Sequence, residues 1–111
     1  MMTAELNLVY VTIDKMDSAK SLVNTLINER LIACANIIEP VLSIYRWEGK
    51  ICEEKELIII SKCRKADYPE LQKRIKELHP YDCPCIVSMT IDDGLPAYFK
   101  WLVSETENGM H

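Results

Sequence analysis

Ser43-Ile44-Tyr45-Arg46-Trp47-Glu48-Gly49-Lys50-Ile51 sits between two long runs of β-branched and aromatic residues, together spanning Ala33 to Cys63. A lone glycine beside an acidic residue, flanked by such runs, marks a tight hairpin turn at Glu48-Gly49. A two-residue loop there sets Trp47 opposite Lys50, and the same register carried down the ladder brings Cys34 near Cys63. Pro40 has no N–H to give the ladder, so it implies a bulge or an edge position, and a bulge would shift that pairing. The arms are also long for the rest of the chain. At about 3.3 Å per residue the arm from Ala33 to Trp47 reaches roughly 50 Å, whereas a helix from Asp17 to Arg30 covers only about 20 Å. The distal half of the hairpin therefore outruns any helix that could lie on it. That half carries Val41, Leu42, Ile44, Tyr45 and Trp47, which alternate between the two faces of the ribbon. An apolar ribbon with two apolar faces needs cover on both. Other copies of the chain are the expected cover, with Val41, Ile44, Tyr45, Trp47 and Cys52 as interface residues.

The rest of the chain supplies one layer of helices for the sheet. Leu6 to Ile13 reads as a first strand, apolar at nearly every position and so central in its sheet. Asp17 or Ser18 begins a helix whose apolar residues Ala19, Leu22, Val23, Leu26 and Ile27 recur at helical spacing. The second arm of the hairpin passes from Glu53-Glu54-Lys55-Glu56 near the tip to Leu57-Ile58-Ile59-Ile60 at a buried base. Asp67 to Glu70 reads as a capping box, with Pro69 in the first turn of a second helix. That helix points Leu71, Ile75 and Leu78 inward and stops at His79-Pro80. Cys85 to Ile91 is a fourth strand and Asp92-Asp93-Gly94 a turn. Leu95 to Thr106 is a last helix presenting Leu95, Phe99, Leu102 and Val103, followed by a tail, Glu107 to His111, expected to fray. The order is β-α-β-β-α-β plus a terminal helix, a split βαβ arrangement. Right-handed crossovers place the first two helices on one face, the first and third strands in the middle, and the long second strand at an edge.

Composition narrows the function classes. A chain of 111 residues with 49% hydrophobic content reads as one domain, 1–111, with one core. Thirteen basic residues are scattered among seventeen acidic ones for a net charge of -4, which argues against nucleic acid or an anionic membrane as partner. No apolar run is long enough to cross a bilayer. The opening Met1-Met2-Thr3-Ala4-Glu5 lacks the basic and apolar regions of a signal peptide, so a cytoplasmic, reducing setting is expected. Five cysteines, Cys34, Cys52, Cys63, Cys83 and Cys85, match no C-x-x-C spacing, which removes a zinc ribbon and a full disulfide framework. There is no G-x-S-x-G, no H-E-x-x-H and no glycine-rich phosphate loop, so a non-enzymatic role is expected.

Val9-Tyr10-Val11-Thr12, Leu31-Ile32-Ala33-Cys34-Ala35-Asn36-Ile37, the hairpin tip, His79-Pro80-Tyr81 and Tyr98-Phe99-Lys100-Trp101-Leu102 together resemble the CutA family of divalent cation tolerance proteins. The resemblance covers nearly the whole chain, and Trp-Glu-Gly-Lys and His-Pro-Tyr are its specific parts. It implies an α+β, ferredoxin-like subunit with an extended hairpin and a C-terminal helix, assembled as a tight homotrimer similar to the PII signalling proteins. It further implies a response to metal ions, with copper binding attributed to some members. Some bacterial members carry a cysteine just before the first-strand threonine and a second histidine beside that of His-Pro-Tyr. Val11 and Leu78 stand in those places here, so only His79 carries over from that copper set.

The candidate site residues each admit two readings. The neutral imidazole of His79 suits Cu(II) or Zn(II), with Asp82 or a cysteine as co-ligand, completed by a partner chain. Equally, it is a histidine placed near the C-terminal carbonyls of a helix. Cys83-Pro84-Cys85 puts two thiols on one side of a strand, and soft thiolates suit Cu(I); buried packing is the alternative, and the clearer one for Cys34 and Cys63. Glu53, Glu54 and Glu56 form an acidic cluster for a hard cation, or a solvated face with inter-subunit pairs to Arg46 and Lys50. Tyr10, Lys62 and Tyr81 would line a junction cleft for a small molecule or anion. Three functions follow: a homotrimer taking copper or another divalent cation at its seams, a PII-like signalling or scaffold trimer that docks another protein, or a small hydrolase or transferase.

Overall fold

A computed structural model describes residues 5–107. Its strands are β1 (Leu6–Ile13), β2 (Cys34–Trp47), β3 (Lys50–Arg64) and β4 (Ile86–Thr90), and its helices are α1 (Met16–Asn28), α2 (Tyr68–Leu78) and α3 (Pro96–Thr106). The strands form one antiparallel sheet in the order β2-β3-β1-β4. The two central strands and the edge position of β2 agree with the split βαβ reading. The expected frayed tail falls, at 108–111, outside the described residues.

The hairpin turns where the glycine placed it. Glu48 and Gly49 have φ of 49° and 78°, the doubly positive pattern of the turns that match strand twist, and Trp47 faces Lys50. Pro40 then sets the register. Ile38 pairs with Ile58 but Val41 with Glu56, so Glu39 and Pro40 together oppose Leu57 in a bulge. Below the bulge the ladder is offset by one residue, and Cys34 lies opposite Lys62 instead of Cys63. Extents of 51 × 26 × 22 Å show how far the hairpin reaches beyond the sheet's helical cover.

Alternation along the strands separates two faces. Val9, Val11, Ile13, Leu57, Ile59 and Cys63 point to the side covered by α1 and α2, where Ala19, Leu22, Leu26, Leu71 and Ile75 complete the core. The amphipathic stripe is narrower than its sequence pattern: Ile27 and Leu78, expected to pack inward, are exposed, because each lies on the flank or final turn of its helix, past the sheet. The opposite face carries Leu8 and Tyr10 from β1, Ile58 and Ile60 from β3, Ile38 from β2 and Val87 and Met89 from β4, by the observed pairing. Of these Val87 is 47% and Met89 54% exposed. Among the described residues, α3 covers one end of that face, with Tyr98 against Cys34 and Lys62.

Three local expectations are corrected. The helix α1 starts at Met16, after Lys15, with no side-chain cap. The capping box at Asp67–Glu70 does not form: Asp67 makes no side-chain cap bond and accepts a 2.9 Å bond from Arg64 Nε. A guanidinium is the stronger donor for a carboxylate, and the same Arg64 donates to the Thr106 carbonyl at 2.9 Å, tying α3 to the start of α2. Finally, α3 buries Leu102 and Thr106 while Leu95 is exposed. Leu95 only precedes the first turn, and the Phe99 ring lies 2.5 Å from where a Cβ on Gly94 would stand, so a larger residue there would have to displace the ring. Between α1 and α2, Arg74 grips both oxygens of Glu29, which holds that carboxyl below its usual range.

Candidate functional site

His79 leaves α2 facing inward and is buried. Its Nε2 lies 2.8 Å from the Thr12 carbonyl oxygen, which can only accept, so Nε2 carries the proton. Nδ1 accepts from the Tyr81 N–H at 3.1 Å. Both nitrogens are therefore used in joining the α2–β4 loop to β1. One step beyond the last β1–β4 pair, Val11 with Ile86, the Thr12 carbonyl is held by His79 and not by the sheet. His79→Ala is accordingly expected to lower thermal stability, by about 1 kcal/mol for each bond lost, while dialysis against Cu(II) shows undiminished uptake.

Tyr81, next on this loop, donates to Glu56 Oε2 at 2.7 Å. Glu56 is only 7% exposed, far more buried than the acidic run around it. Burial, then the bond to Glu56, pushes the Tyr81 phenol above its usual range. Asp14 also acts on that phenol, and its Oδ1 is buried without a hydrogen-bond partner among the described residues. Sequence reasoning missed Glu56 as Tyr81's acceptor; a glutamate followed directly by four apolar residues was the available signal.

The junction cleft expected from Tyr10, Lys62 and Tyr81 does not gather within one chain. Glu56, which anchors Tyr81, and Lys62 lie about 20 Å apart along β3 at 3.3 Å per residue. Lys62 instead donates to Tyr98 Oη at 3.1 Å, and Cys34 Sγ lies 3.3 Å from the same oxygen. The bond to Tyr98 raises the Lys62 ammonium against the opposing effect of burial. Tyr98 stacks on Trp101. Tyr10 stands between Ile60 and Val87 on the uncovered face.

Asp82, Cys83 and Cys85 are exposed on the loop before β4. The two thiols are thus not on a strand, as their alternation had suggested. No group of three or more His, Cys, Asp or Glu side chains among the described residues is arranged to hold a metal ion. A surface groove between α1 and the end of α2, lined in part by Asp17, Ser21, Thr25 and Leu78, includes none of the expected site residues. Burial pushes the Cys63 thiol up to about 12. Alkylation followed by mass spectrometry should therefore label Cys83 and Cys85 first and Cys63 only on unfolding.

The expected interface residues lie along the free hairpin. Ile44 is 61% and Trp47 56% exposed, Tyr45 is exposed, and Val41 and Cys52 are half-buried. Ile51, 71% exposed, and Leu42 share the ribbon face of Ile44, whereas Val41, Tyr45, Trp47 and Cys52 lie on the other face.

This fold, with its overlong hairpin and loop-capped β1, has known counterparts. Residues 7–105 match the family model described as CutA1 divalent ion tolerance protein. The chain belongs to the CutA1 family. A divalent-cation tolerance protein CutA from Pyrococcus horikoshii is 50% identical over 100 residues, covering 90% of this chain and 97% of that one. Its counterpart from Thermus thermophilus is 39% identical, covering 88% and 95%. Among solved structures, CutA1 from Oryza sativa superposes with a TM-score of 0.93 at 34% identity, covering 96% of this chain and 98% of that chain. A Pyrococcus horikoshii CutA1 crystal structure gives 0.88 at 49% identity, covering 92% and 99%. The ferredoxin-like subunit expected from the resemblance is the one seen. Family members differ in setting: one relative is described as chloroplastic and one solved structure as periplasmic. No helix among the described residues is long and apolar enough to cross a membrane.

Proposed function

We propose that this chain is a homotrimeric, cytoplasmic divalent-cation tolerance protein without catalytic chemistry of its own, taking a metal ion such as copper, or a small anion, where subunits meet. The observation that carries this reading is the exposed apolar surface: Leu42, Ile44 and Ile51 on one face of the hairpin, Tyr45 and Trp47 on the other, and Val87 and Met89 on the sheet. Monomeric proteins rarely leave contiguous patches of that kind in water, and an edge strand as long as β2 invites pairing. Relatives named divalent-cation tolerance proteins support the metal-response half.

Sedimentation equilibrium with and without Cu(II) is the test. A mass of three chains, with Cu(II) retained after dialysis, is the expected result. A single-chain mass that persists on dilution would end the proposal. The alternative, a PII-like signalling or scaffold trimer that docks another protein, is favoured by one observation: both nitrogens of His79 are engaged inside the chain, removing the one copper ligand carried over from the family pattern. A trimer that takes up no metal supports that second reading.

A further inference from the structure

Cysteine is among the residue types most often fully buried, and the five thiols of this chain divide sharply by environment. Cys63 is buried in the core with its thiol pushed up to about 12. Cys34 is half-buried against the Tyr98 hydroxyl, and Cys52 is half-buried on the hairpin. Cys83 and Cys85 are both free and both exposed, with one residue between them. The loop that presents them is held at each end. His79 and Tyr81 bind its start to Thr12 and Glu56, Lys76 Nζ donates to the Asp82 carbonyl, and Ile86 enters the sheet opposite Val11. Pro84, with its fixed φ, limits the freedom between the two thiols. Little chain entropy then remains to be lost when they close on one ion.

We infer that Cys83 and Cys85 form a two-thiolate site for a soft, closed-shell monovalent ion of the Cu(I) or Ag(I) class. Thiolate sulfur selects such ions over hard ones, and two sulfurs suffice for them, whereas a structural zinc site asks for four ligands. Binding is a ligand exchange without redox: two S–H bonds break, two sulfur–metal bonds form, and two protons leave to solvent. The inference deepens the metal-tolerance reading by naming the class of ion. It requires neither the trimer nor any Cu(II) site.

The test uses the full chain, reduced and anaerobic, titrated with Ag(I), and with Cu(I) in competition with a chromogenic chelator. Cys83→Ser, Cys85→Ser and the double variant are each expected to weaken binding by at least roughly tenfold to a hundredfold, the loss that removal of even supporting residues causes at metal sites. Cys52→Ser should bind as the parent does. Cys83 and Cys85 are exposed, so in their variants the melting midpoint and native mass should stay unchanged, separating loss of ligand from loss of fold. Unchanged affinity in the double variant would overturn the inference. So would two single variants that each keep half the capacity at full affinity, since the thiols would then act independently. Failure here alongside a trimer that retains Cu(II) would leave the broader proposal standing. Success in a single chain would do the reverse.

Discussion

Replacing Trp47 with alanine is expected to dissociate the proposed trimer and leave the chain aggregation-prone. Trp47 stands at the end of β2 beside the Glu48-Gly49 turn, more than half exposed, on the ribbon face that also carries Tyr45 and Cys52. Among the described residues no helix runs out along the hairpin to it, in a particle 51 Å long and 26 Å across. A large aromatic side chain of this kind is the usual anchor of an interface, and truncating such an anchor typically costs about 2–4 kcal/mol of association. At 1.4 kcal/mol per tenfold, that weakens each contact roughly thirtyfold to a thousandfold. Sedimentation velocity across a dilution series reads this directly. Lys73→Ala, on the exposed outer side of α2, is the control and should leave the mass unchanged. A Trp47→Ala protein with the parent's mass at every concentration would show that the hairpin tip is not the anchor.

The second large effect is expected from Tyr81→Phe. The Glu56 carboxylate is almost fully buried, and among the described residues its hydrogen bond comes from the Tyr81 hydroxyl. Removing that donor leaves a buried acceptor unsatisfied, a loss of about 1–3 kcal/mol and more if the carboxylate stays ionised. A melting midpoint lower by at least roughly 4 °C follows for a domain of this size, compared at equal protein concentration because assembly shifts the midpoint as well. Glu56→Gln keeps an acceptor for Tyr81, so a double-mutant cycle should show the two substitutions to be less than additive. The pH dependence has a definite sign. The folded chain holds the Tyr81 phenol above its unfolded value, so its contribution is complete below about pH 10 and is lost as pH rises through the folded value. The stability gap between parent and Tyr81→Phe should narrow on the alkaline side. A gap that widened there would mean that the phenol is ionised in the fold.

Much of this protein could be read from the chain alone, and the reason is range. The element order, the turn at Glu48-Gly49, the central place of Leu6–Ile13 and the helix stop at His79-Pro80 depend on spacing within a few residues, which hydrophobic periodicity and turn chemistry report directly. The overreach of the hairpin followed from counting residues, since a strand rises about twice as far per residue as a helix. Periodicity failed at the ends of elements. Ile27, Leu78 and Leu95 all fit an apolar stripe, yet Ile27 and Leu78 lie in the last turn of their helices and Leu95 just before the first turn of α3.

The tertiary structure decided which polar groups meet. His79 bonds to Thr12, Tyr81 to Glu56, and Lys62 to Tyr98, partners far apart in the chain that no local pattern links. A bulge of one residue at Glu39-Pro40 moves Cys34 from Cys63 to Lys62, and the competition of Arg64 for Asp67 cancels a cap that the local residues favoured. Local spacing selects strand or helix because that choice is made over neighbouring φ and ψ angles. The pairing of distant side chains waits on register and on rotamers, and those exist only once the whole sheet has closed against its helices.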